Sequence, residues 1–122
     1  MENKRKSVRV KTKLVVLFKI KNARFAHGTR SKDVSETGIC IPINHHFPVD
    51  SVLELEIRSH DLKEPIKASA RVIRVANRHN DKFPFEAGVV FLDIPVANRN
   101  TLYEYIRHSL SQTSIDDADL LD

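Results

Sequence analysis

The sequence is poor in the residues that mark several common classes of protein. Cys40 is the single cysteine among 122 residues, so no disulfide can close within the chain. Nothing in that usage suggests export, and a cytoplasmic location is the expectation. Tryptophan is absent and glycine occurs three times. No glycine-rich loop that would cradle phosphates is present. No apolar run approaches the length that spans a bilayer, so membrane insertion is not expected. The basic N-terminus is not followed by an apolar stretch and does not read as a secretory signal. His27, His45, His46, His60, His79 and His108 stand at no recognisable ligand spacing with Cys40 or a carboxylate. A metal site is therefore not expected. No Ser/His/Asp nucleophile pattern and no cofactor motif occurs, which argues against an enzyme. Internal repeats and low-complexity segments are lacking too.

What is present is charge, unevenly placed. The chain carries a formal +4. Residues 1–13 hold Lys4, Arg5, Lys6, Arg9, Lys11 and Lys13 against Glu2, a net +5. Residues 114–122 hold Asp116, Asp117, Asp119 and Asp122, a net −4. Three stretches follow: a flexible basic arm (1–13), a folded body (14–112) and an acidic, disordered tail (113–122). The arm suits an anion: phosphate, nucleic acid or an acidic partner.

The body alternates apolar and polar residues with period two. Leu14, Val16, Phe18 and Ile20 share one face, opposite Lys13, Lys19 and Lys21. Asn22 and Ala23 suit a turn, and the polar stretch Phe25 to Asp33 reads as a weak strand. Ile39, Ile41 and Ile43 alternate with Cys40 and Pro42, and Pro42 favours a strand edge. Residues 44–51 read as a loop. Leu53, Leu55 and Ile57 alternate with Glu54, Glu56 and Arg58. Ile66, Ala68, Ala70 and Val72 keep one parity, and Ile73 and Val75 take the other, which predicts a bulge or bend. Residues 77–82 form a polar turn, and Phe83 to Phe91 is the last strand. From about Asn98 the period changes. Leu102, Ile106 and Leu110 are four apart, with Asn98 or Asn100 as the helix cap. The expected fold is mainly β: a six-stranded antiparallel barrel with a C-terminal α-helix.

Two clusters carry recognisable chemistry. Arg5 and Arg9 are four apart, so in an extended arm they point to the same side. Guanidinium forks bind phosphate oxygens in pairs, grip the O6/N7 edge of guanine, or stack on a base. The spacing alone says little, because Arg74 and Arg78 repeat it. The second cluster is Asp33-Val34-Ser35-Glu36-Thr37-Gly38, between a weak strand and a strong one. As a plain turn, Asp and Ser bond local backbone N–H groups and Gly38 supplies a positive φ. As a ligand site, Asp33 accepts from the guanine Watson–Crick edge, and Ser35 bonds base or ribose-phosphate, or holds the loop. Gly38 then lets the ligand approach the backbone.

With both clusters in this order and one strand between them, the sequence resembles the PilZ domains. Their signature is Arg-x-x-x-Arg on an N-terminal arm, followed by Asp/Asn-x-Ser-x-x-Gly. Phe47-Pro48-Val49-Asp50 before Val52-Leu53-Glu54-Leu55, and Ala87-Gly88-Val89-Val90-Phe91 before a helix, extend the likeness from about Arg5 to Leu110. The resemblance implies a receptor for the bacterial second messenger cyclic di-GMP. It places Arg5 and Arg9 on phosphates and guanines, and Asp33, Ser35 and Gly38 around one guanine. Arg74 matches a Trp or Arg that faces the ligand in many relatives, and Lys4 would add attraction for the dianion. The output implied is contact with an effector protein in motility, pilus or exopolysaccharide control, after ligand orders the arm. Two rivals remain: a basic nucleic-acid-binding barrel, and a scaffold of the same fold that binds protein but no nucleotide.

Overall fold

The computed structural model describes the backbone of residues 8–121 and the side chains of residues 8–111. Lys4 and Arg5 therefore lie outside the described residues, as do the side chains of the acidic end. Eight strands and one helix follow in order: β1 (Val10–Lys11), β2 (Val15–Ile20), β3 (His27–Arg30), β4 (Asp33–Val34), β5 (Gly38–Ile43), β6 (Val52–Arg58), β7 (Ile66–Asn77), β8 (Phe85–Asp93) and α1 (Val96–Leu121). All pairings are antiparallel, and the strands form one sheet in the order β1-β4-β5-β8-β7-β6-β2-β3.

The expected mainly β, antiparallel barrel with a C-terminal helix is present as a curled half-barrel, with eight strands among the described residues where six were expected. The difference has a local cause. The polar stretch after Phe25 makes two short strands, β3 and β4, split at Ser31 and Lys32. The Ser31 hydroxyl accepts from Leu14 N–H (2.9 Å) and donates to the Thr12 carbonyl (2.5 Å), and Ser31 N–H donates to the Leu14 carbonyl (2.8 Å). Lys32 N–H donates to the Cys40 carbonyl (2.8 Å). β3 stays with β2 while β4 crosses to β5 and β1, so no ladder joins the two sheet ends. Pro42 lies beyond the reach of β4, where β5 has one free edge.

Sequence patterning puts residues 1–13 in one arm. The structure ties the last part of that arm to the sheet. Val10 pairs with Val34 and is buried, and Lys11 pairs with Asp33.

The inner face follows the period-two pattern closely. Val16 and Phe18 of β2, Leu53 and Ile57 of β6, and Ile66, Ala70 and Val72 of β7 are fully buried. Each large aliphatic or aromatic side chain so buried contributes about 1.5–3 kcal/mol. A register shift falls between Val72, opposite Val89, and Arg74, opposite Gly88. Ile73 is the extra residue and is exposed, as the parity slip predicts. Leu102 and Ile106 of α1 are buried in the same core, and α1 packs on β7 and β1. The Tyr105 hydroxyl meets the Thr12 hydroxyl at 2.5 Å.

The helix begins earlier than Asn98, and Asn98 is not its cap. Val96 starts it, with Arg99 N–H donating to the Pro95 carbonyl. The Asn98 side chain instead accepts from Lys67 N–H (3.1 Å) and donates to the Pro65 carbonyl (3.4 Å). It closes the start of β7 rather than the start of α1.

Candidate functional site

Cross-strand register builds the site. Asp33 of β4 lies opposite Cys40 of β5, Cys40 opposite Gly88 of β8, and Gly88 opposite Arg74 of β7. Lys11 of β1 lies opposite Asp33 and extends the row. Directly paired residues share a face, so these five positions form one line on the sheet face turned away from the core, with Cys40 and Gly88 themselves covered by the side chains around them. The neighbouring line, Val10, Val34, Ile39, Val89 and Val72, points into the core. The outer line has a carboxylate near one end, a guanidinium at the other, and two small residues between. That is a shallow platform bounded by opposite charges.

Arg9 reaches this line from the N-terminal side. Its guanidinium bonds the Asp33 carboxylate at 2.5 Å. The structure thus brings together two residues that are 24 positions apart in sequence. The Arg9 side chain is half exposed, and an exposed pair of this kind contributes at most about 1 kcal/mol. A stronger acceptor or donor can therefore displace either partner.

Ser35 is buried within the turn. Its hydroxyl accepts from Thr37 N–H and Gly38 N–H, both at 3.2 Å. Ser35 N–H donates to the Gly38 carbonyl at 2.8 Å. Of the roles open to Ser35, the one seen here is holding the loop. Gly38 requires a correction. It has no positive φ. A Cβ there would stand 2.2 Å from the Val89 carbonyl oxygen. Glycine is demanded by the close approach of β8.

Arg74 owes its place to the bulge. In an unbulged strand Arg74, two positions beyond the buried Val72, would face the core. The bulge turns it outward. Its side chain lies over Gly88, where an added Cβ would sit 3.2 Å from Nε and 3.6 Å from Cζ. Glu86 faces Arg74 at 3.7 Å and Lys32 at 3.3 Å. Lys32, Cys40, Glu86 and Gly88 are site residues that sequence reasoning missed. Register joins Cys40 and Gly88 to Asp33, and an ion pair joins Lys32 to Glu86.

Two groups here have shifted acidities. Burial pushes the Cys40 thiol up to about 11, and the nearby Glu86 and Asp33 charges add to the rise. Burial also works against the Glu86 carboxylate. The Lys32 hydrogen bond, the Cys40 contact and the charges of Lys32 and Arg74 outweigh it and hold Glu86 below its usual range. Glu86 is therefore a firm anion that fixes two cations beside the platform.

Three of the six histidines pack on aromatic neighbours. His27 and His45 pack at 5.2 Å within a cluster that includes Phe18 and Phe47, and His46 packs on Phe85 at 5.1 Å. Among the described residues, no three His, Cys, Asp or Glu side chains are placed to hold a metal ion. No helix there is long and apolar enough to cross a membrane.

Comparison with known proteins adds three findings. A family model described as "PilZ domain" matches residues 3–108. A search of curated proteins finds no match to the sequence. Among solved structures, the Bacillus subtilis inhibitor of motility, MotI/DgrA, is similar with a TM-score of 0.72 and 22% identity. That match covers 87% of this chain and 51% of MotI, so the chain spans about half the length of that protein. The PilZ domain of YcgR from Escherichia coli, solved with c-di-GMP, gives a TM-score of 0.65 at 16% identity, over 96% of this chain and 98% of that one. The PilZ domain of CeSA from a cellulose-synthesizing bacterium gives 0.59 at 11% identity, over 87% and 98%. At these identities the likeness is one of fold.

Proposed function

Because the chain belongs to the PilZ domain family, whose domains are non-catalytic receptors, we propose that it binds cyclic di-GMP on the platform between Asp33 and Arg74. The observation that carries this reading is the row Asp33, Cys40, Gly88 and Arg74, with Arg9 already drawn onto Asp33. A guanine is flat, and its Watson–Crick edge offers N–H donors that suit a carboxylate acceptor. Cys40 and Gly88 leave a low floor for the ring, and Arg74 supplies a planar cation to stack on it.

In this reading the guanine edge takes the Asp33 carboxylate from Arg9. Arg9 then turns with Arg5 to the ligand phosphates, and Lys4 adds attraction for the dianion. Ser35 and Gly38 act by keeping the turn and β8 in place, so that Asp33 points outward. The arm is laid anew across the sheet and presents a changed surface to an effector protein in the cytoplasm. Control of motility, pili or exopolysaccharide is the output this reading carries.

Calorimetric titration of cyclic di-GMP into the wild type, Arg5→Ala, Arg9→Ala and Asp33→Ala tests it. Each variant should stay folded and lose about 2 kcal/mol or more of binding, as for charge-assisted contacts left unpaired. GMP and GTP should bind more weakly at the same salt. Undiminished affinity in all three variants would remove the site. Tight binding of long DNA with steep salt dependence, and none of cyclic di-GMP, would favour a nucleic-acid binder instead.

A further inference from the structure

A second concentration of charge lies beside the platform. A cleft of about 640 Å³ opens between the β2–β3 and β7–β8 hairpins. Lys13, Arg30, Lys32, Arg78 and Lys82 line it, and no aspartate or glutamate does. The chain has 16 acidic residues to draw on, so this one-sided lining is a feature of the cleft and not of the composition. Among the described residues, Lys13, Arg30, Arg78 and Lys82 have no carboxylate within 4.0 Å. Lys32 has one, Glu86. A smaller neighbouring cleft shares Lys13 and Arg30 and adds His60 and Arg58, the latter paired with Glu56. Cations gathered without counter-charge repel one another in the folded state, and an anionic partner relieves that repulsion.

We propose that this cleft docks an acidic polypeptide segment of a partner protein, one in which carboxylates are interspersed with apolar side chains. The shape and lining favour that occupant. Val15, Pro42 and Phe83 give the cleft apolar ground between its cations. A volume of this size takes a few side chains of one extended segment. A single strand is held by stacking its bases on aromatic rings. The cleft offers one ring, Phe83, and the Lys82 ammonium already lies over it at 5.9 Å from the centroid. The site goes beyond the dinucleotide reading and touches it only at Lys32, so the other four cations can be changed without entering the platform.

The test uses the full chain and a short fluorescent peptide of glutamates interspersed with leucines. The same peptide with glutamine for glutamate, and a short DNA duplex, serve as the other probes. Binding is followed by anisotropy for the wild type, for the cleft double variant Arg30→Glu/Lys82→Glu, and for Lys21→Glu/Lys63→Glu, which makes the same change of net charge at exposed positions outside the cleft. The acidic peptide should bind the wild type. The cleft variant should bind it about tenfold or more weakly, a loss of roughly 1.4 kcal/mol, and the control variant within about twofold of wild type. Equal weakening in both variants would overturn the proposal, because binding would then follow net charge. Tighter binding of the duplex than of the peptide would overturn it too. Cyclic di-GMP titrated into the cleft variant should bind as in the wild type. If that affinity also collapses, the cleft is not a separate site. If cyclic di-GMP binds neither protein while the peptide result stands, only the dinucleotide reading has failed.

Discussion

Gly38 and Gly88 look alike in sequence and serve opposite ends. An alanine methyl at 38 would meet the Val89 carbonyl oxygen at 2.2 Å, a backbone atom on a packed strand. Gly38→Ala must push β5 from β8, and we expect about 1–3 kcal/mol of lost stability in denaturant melts. At 88 the methyl would meet Arg74 Nε at 3.2 Å, on a flexible side chain that can move. Gly88→Ala should change stability by no more than about 0.5 kcal/mol, yet displace Arg74 and weaken cyclic di-GMP. Equal stability losses in the two variants would contradict this division. Read as a plain turn, the motif gives Gly38 a positive φ that it does not have, because its need for glycine comes from a strand about fifty residues away. Cys40 gives a further test at this scale. Its thiol is raised from 9.0 to about 11, so the native protein should react slowly with thiol reagents near pH 8 and quickly once unfolded. A raised pKa means that the neutral thiol favours the fold below the unfolded value. That contribution should fade as pH rises from 9.0 towards about 11. Fast labelling of folded protein near pH 8 would show a thiol less protected than its burial implies.

At the scale of elements, long alternations were legible and short pairings were not. β2 and β6 bury every second residue as their sequences read. The slip from Val72 to Ile73 announces the bulge in β7. By contrast, β1 and β4 have two residues each. Two residues cannot show a period, and these strands exist because Ser31 and Lys32 tie the turn to Leu14, Thr12 and Cys40. The row from Asp33 to Arg74 was hidden for a related reason: register, not spacing, makes Cys40 and Gly88 its middle. The helix start shows a third limit. Asparagine near a change of period reads as a cap, yet Asn98 spends its side chain on Lys67 and Pro65. Asn98→Ala should therefore cost about 1 kcal/mol and loosen the amide of Lys67 in hydrogen exchange. Asn100→Ala should do neither. A larger loss for Asn100→Ala than for Asn98→Ala would contradict the role given to Asn98.

For the whole molecule, the outer face is a linked set of charges, and the fold lowers the proton affinity of one of them, Glu86. Burial opposes its ionisation, but Lys32, Cys40 and Arg74 more than offset that and lower its value. In the unfolded chain the same carboxyl returns to the ordinary glutamate range. The folded state therefore binds the proton less readily than the unfolded one, and ionised Glu86 favours folding above that ordinary range. The contribution is lost as pH falls through the lowered native value. Melting temperatures of wild type and Glu86→Gln, followed from about pH 7 to about pH 2, should differ most near neutrality and converge in acid. Protonation also removes the anion that faces Lys32 and Arg74, so cyclic di-GMP affinity should change over that acid range in the wild type more than in Glu86→Gln. Parallel melting curves at every pH would mean that Glu86 gains nothing from its cationic neighbours, and that Arg74 is held over Gly88 by packing alone.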